Sequence, residues 1–147
     1  MWVSKLGLRQ SAPGDDELVA QLVSLLRVVE TDMTIFFRSL GTIDGLNPLD
    51  MAHAYYDEAA LPVDELGLWL GKWWSRVDGD PDREAMNNAN PKYVLRNWMS
   101  QLAIEAAEAD DYSVAIELQD LLRAPYEEQP SSAVSYTHLR AHETQRN

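Results

Sequence analysis

An all-α, bundle-like fold is what this sequence predicts, on three observations. Apolar residues recur at helical spacing in one segment after another. No stretch shows the strict apolar–polar alternation of a half-buried strand. The breaks between segments, such as "TIDGLNPLD" and "DGDPD", are rich in Gly, Pro, Asn and Asp and as short as the connections of helical bundles.

Each element can be justified in turn. "DDELVAQLVSLLRVVE" places Leu18, Leu22, Leu25, Leu26 and Val29 on one face behind Asp15 and Asp16, acids that suit a helix start. "TDMTIFFRSLG" follows, with Thr31 or Asp32 as cap, Ile35, Phe36 and Leu40 apolar, and Gly41 as stop. "MAHAYYDEAA" predicts a weak helix ending before Pro62. "PVDELGLWLGKWWSRV" is a better one, with Pro62 at its first position and Asp64 and Glu65 in its first turn. The strongest periodicity lies in "NPKYVLRNWMSQLAIEAAEADD", read as one helix opened by Asn90 and Pro91, with Val94, Leu95, Trp98, Leu102 and Ala106 as its stripe, widened by Met99. "YSVAIELQDLLR" supplies a last helix, after which "APYEEQP" runs extended.

Composition narrows the function classes. At 147 residues the chain suits one domain with a real core. A net charge of −12 leaves no Lys/Arg stripe to displace counterions, which excludes a nucleic-acid binder. No apolar run approaches the roughly 18 residues of a membrane span. The absence of cysteine excludes disulfides and thiolate metal sites and suits a reducing compartment, and "MWVSKLGLRQ" lacks the parts of a signal peptide, so a cytoplasmic location is expected.

Several motifs invite chemistry, and most do not survive inspection. His138 and His142 stand one helical turn apart with Glu143 beside them, a metal-site spacing. Yet "VSYTHLRAHET" is what a transposase-type sequencing adapter encodes, so residues 134–147 are expected to be non-native and residues 1–133 the genuine chain. His53, with Tyr55, Tyr56, Asp57 and Glu58 nearby, then has no nucleophile partner and is read as structural or solvent-facing. "GLWLGKWW" has three residues between Gly67 and Gly71 where a phosphate loop needs four, and Trp73 follows Lys72 in place of Ser or Thr. The glycines are read as allowing a close helix approach, and Trp69, Trp73 and Trp74 as core or interface. Asp78, Asp80 and Asp82 have the spacing of a calcium loop, but Arg83 and Ala89 occupy its glycine and bidentate glutamate positions. Glu127 and Glu128 are read as solvated charges. No catalytic, cofactor-binding or metal residue is assigned.

One pattern is more specific. "NPKYVLRN" at Asn90–Asn97, then "QLAIEAAEADDYS" and "LLRAPYEEQP", with "KLGL" at Lys5–Leu8 and "TDMTIFFRSL" upstream, resembles the C-terminal part of the selenoprotein O family, called YdiU in bacteria. The resemblance covers most of residues 1–133 and is loosest over residues 42–80. It implies the C-terminal helical region of a protein-kinase-like fold, in a parent that transfers AMP from ATP to Ser, Thr or Tyr of proteins with Mg²⁺ or Mn²⁺. The family's nucleotide and metal residues lie in the preceding portion, so the fragment itself is expected to bind no ATP or metal and to be inactive. Its implied partner is the missing kinase-like core.

Within that frame, Lys92 and Arg96 are expected on one side of the helix, facing carboxylates, with Arg96 structural rather than in contact with nucleotide. The five tryptophans suggest aromatic surface buried against the missing core and self-association without it. A reading from another class is a tetratricopeptide-like interaction module built on "AIEAAEADDYSVAIELQDLL", with Ala103, Ala106 and Ala107 for close packing; no second copy at a fixed period appears. Resequencing the source DNA discriminates: the frame is expected to run upstream into a Gly-rich loop and metal-holding Asp/Asn and to continue past Ala133 without the adapter, whereas further helical repeats upstream favour the module.

Overall fold

The computed structural model describes residues 1–44 and 46–129. His138, His142, Glu143 and the Pro130 end of the "APYEEQP" stretch lie outside the described residues. Among those described, all regular structure is helical, and the one β feature is an isolated antiparallel bridge between Thr31 and Tyr55. None of the described helices is long and apolar enough to cross a membrane. The chain divides into two compact units, Met1–Asn90 and Pro91 onward.

The first unit contains α1 (Trp2–Lys5), α2 (Asp15–Val28), α3 (Met33–Leu40), α4 (Val63–Arg76) and α5 (Arg83–Ala89). Helix α2 forms where expected: Leu18 and Leu22 are buried, Leu25, Leu26 and Val29 pack at the edge of the same core, and three acids in its first turn favour the positive end of the helix dipole. In α3, Asp32 is the cap, its carboxylate accepting from the Ile35 N–H at 2.9 Å, and Phe36, Phe37 and Leu40 are buried. The expected helix over "MAHAYYDEAA" is replaced by two 3-10 segments, Pro48–Ala54 and Glu58–Ala60. Asn47 and Asp57 bond the N–H groups two residues on, at Leu49 and Ala59, which tightens the chain into short turns rather than an α-helix. Pro62 is the cap of α4 rather than its first residue.

Helix α4 is the pillar of this unit. Trp69 and Trp73, one turn apart, are buried and stacked at 6.2 Å. Each indole N–H finds a backbone acceptor, Trp69 on the Leu18 carbonyl at 2.9 Å and Trp73 on the Leu6 carbonyl at 2.8 Å. Burying a tryptophan is favourable only when its donor is satisfied, and here both are. The stretch "KLGL" is thereby a strap: Leu6 and Leu8 are buried, Trp73 holds the Leu6 carbonyl, and the Asp82 N–H holds the Gly7 carbonyl at 2.9 Å. Helices α1 and α5 carry too little periodicity to be foreseen. Asp82, considered above as a calcium ligand, instead caps α5 by accepting from the Ala85 N–H.

The second unit contains α6 (Asn97–Glu108) and α7 (Ser113–Arg123), a helical hairpin around Tyr93, Trp98, Met99, Leu118 and Leu121. The expected helix from Pro91 starts six residues late. Asn90 is extended, as a residue before proline prefers, and the Lys92 and Tyr93 N–H groups both point to the Pro125 carbonyl. A helix through this stretch would pull the Tyr93 ring out of the core. Leu95, placed on the apolar stripe by periodicity, is consequently 58% exposed. Lys92 and Arg96 therefore do not share a helix face.

Gly7 has φ +71°, and a Cβ there would lie 2.7 Å from the Met86 sulfur and 2.9 Å from the Pro81 Cβ. Gly14 has φ +94° but no atom within 4 Å of its Cβ position. Urea unfolding of Gly7→Ala is expected to show a loss of about 3 kcal/mol, backbone strain plus overpacking, against about 1 kcal/mol for Gly14→Ala, where only the backbone term applies.

Candidate functional site

The stretches that carry the sequence resemblance meet as two buried joints, one in each unit. In the first unit the joint is Lys5 and Asn90. The Lys5 ammonium donates to the Asn90 side-chain oxygen at 2.8 Å, and the Asn90 amide donates back to the Lys5 carbonyl at 3.1 Å. Lys5 also lies 4.3 Å above the Phe37 ring centre. Burial lowers the Lys5 pKa, because the charged form gives up water for a neutral amide and a ring face. Asn90 itself is buried.

Two arginines complete this joint by reciprocal capping. Arg38, in the last turn of α3, donates to the Asn87 and Asn90 carbonyls at 3.1 and 2.9 Å, at the end of α5. Arg83, opening α5, donates to the Gly41 and Ile43 carbonyls at 2.8 and 2.9 Å, just past the end of α3. Each guanidinium forks onto carbonyls that a helix end leaves without partners. The sequence assigns Arg38 no role and marks Arg83 only as the residue that breaks the calcium-loop pattern. The signal, an arginine at a helix terminus, is common, and its target lies dozens of residues away.

In the second unit the joint is Tyr93 with Gln129. The Gln129 N–H donates to the Tyr93 hydroxyl at 3.0 Å, and the Gln129 side-chain amide donates to the Leu121 and Ala124 carbonyls, closing the end of α7. Lys92 pairs with Glu128. Glu128, read as a solvated charge, thus has a partner. Arg96 is buried just before α6, in keeping with a structural role.

The other candidate residues fall out as follows. His53 is exposed and its Nε2 lies 2.6 Å from the Ser39 hydroxyl. His53 thus has a hydroxyl partner that the sequence reading does not give it, on the nearly buried Ser39, and the contact ties α3 to the 3-10 segment. Tyr55 is buried and its burial raises the phenol pKa, while Tyr56 is half-buried and Asp57 and Glu58 are exposed. Asp80 pairs with Arg9 at 3.2 Å, and Asp78 takes a left-handed turn conformation at φ 56°. Asp78, Asp80 and Asp82 thus serve three separate local purposes. Among the described residues no three His, Asp or Glu side chains converge to hold a metal. The tryptophans are not free surface: Trp69, Trp73 and Trp98 are buried, and Trp2 and Trp74 pack on the first unit's core. A Cβ at Gly67 would make only an ordinary contact with the Pro48 ring at 3.8 Å, and one at Gly71 would meet nothing within 4 Å, so among the described residues neither glycine serves a close helix approach.

No family model matches the chain. Curated relatives do. The chain is 42% identical over 144 residues to the protein nucleotidyltransferase YdiU of Flavobacterium johnsoniae, a match covering 88% of the chain and 27% of the relative. The proteins of the same name from Aromatoleum aromaticum and Rhodopirellula baltica are each 40% identical, over 88% of the chain and 27% and 28% of their own lengths. The chain is homologous to a part of YdiU. It spans about a quarter of the length of these YdiU proteins.

Away from the joints, a hollow of about 270 Å³ lies beside α2 and α4, rimmed by Asp15, Glu17, Gln21, Lys72 and Arg76. Arg76 is bound to Asp15 through two N–H groups, at 2.7 and 3.2 Å, and Lys72 to Gln21. The Arg76 guanidinium, helped by the Ala12 N–H, lowers the Asp15 pKa despite partial burial. A carboxyl with a depressed folded pKa stabilises fully above the ordinary value of about 4 and loses that contribution as pH falls through its lower folded value. Asp15→Asn is therefore expected to cost less than about 1 kcal/mol at pH 7, with the gap to the parent chain closing below pH ~4 in urea titrations.

Proposed function

We propose that the chain is the C-terminal helical part of a protein nucleotidyltransferase that moves AMP from ATP, with Mg²⁺ or Mn²⁺, to Ser, Thr or Tyr hydroxyls of proteins. The observation that carries the reading is the 42% identity to a protein of that name over 88% of the chain. In such a transfer the substrate hydroxyl attacks the α-phosphorus, the α–β bridging bond breaks, pyrophosphate leaves, and the hydroxyl proton passes to a base. No step is assigned to residues of this chain. Its contribution is a rigid helical support for a nucleotide-binding portion elsewhere in the polypeptide.

The test uses the full-length polypeptide and ATP labelled at either the α- or the γ-phosphate. Protein-bound label from the α position with pyrophosphate release is expected; label from the γ position alone would make it a kinase and sink the proposal. With Arg96→Ala, activity and melting temperature are expected to fall together. Lost transfer at unchanged melting temperature would instead place Arg96 at the nucleotide or substrate.

A further inference from the structure

We draw no further inference here: the strongest candidate, the hollow beside α2 and α4 in the first unit, carries nothing because its Arg76 and Lys72 side chains are already bonded to Asp15 and Gln21 across the rim and nothing in the structure points to a ligand that would fill it.

Discussion

The first unit depends on one strap of backbone. Leu6 and Gly7 present consecutive carbonyls, the first to the Trp73 indole and the second to the Asp82 N–H at the start of α5. These two bonds bring the chain's opening residues against helices some 70 positions later, and they work only because the strap can come close. The left-handed turn at Gly7 puts bare backbone against Met86 and Pro81, where a side chain would collide. Once the strap is seated, Leu6 and Leu8 are buried, Trp73 has its partner, and Lys5 is delivered to Asn90. Losing any of these leaves a buried donor or acceptor without a partner, which costs more than the bond itself contributes.

The same logic, a polar group spent to close a helix end, recurs through the molecule. Arg38 and Arg83 exchange caps between α3 and α5, and Gln129 closes α7 while fixing the Tyr93 hydroxyl. Short helices need this. With only 7 or 8 residues, α5 and α3 have most of their backbone groups within a turn of an end, so side-chain caps decide whether they form. In the most recognisable runs of the sequence, "KLGL", "NPKYVLRN" and "APYEEQ", Asn90, Tyr93 and Gln129 bond to backbone groups, while Lys5 bonds to the Asn90 side chain and Lys92 to that of Glu128.

The tryptophans and phenylalanines pack on the two cores, while the exposed apolar side chains are mostly aliphatic, among them Val28, Leu49 and Leu68 in the first unit and Leu95, Ile104 and Ile116 in the second, joined there by Tyr112 and Tyr126. The pair Gly67 and Gly71, which resembles a phosphate loop at a glance, lies in the middle of a regular helix.

The sequence by itself determined the helical class, the positions of α2, α3, α4 and α7, a cap of α3 at Thr31 or Asp32, and a core or interface place for Trp69 and Trp73, because periodicity, capping and aromatic area act within one or two turns of chain. It also carried the kinship to YdiU. Tertiary structure alone decided the rest. The helix expected from Pro91 begins at Asn97 because Pro125 and Gln129, more than thirty residues on, claim the backbone and hydroxyl around Tyr93. In "DGDPD" the Asp82 carboxylate caps α5, the Asp80 carboxylate pairs with Arg9, and Asp78 takes a left-handed backbone turn, partners and a conformation that spacing alone does not reveal. Local propensity is a small energy summed over neighbours, whereas satisfying a buried polar group is a larger one whose partner can lie anywhere in the chain.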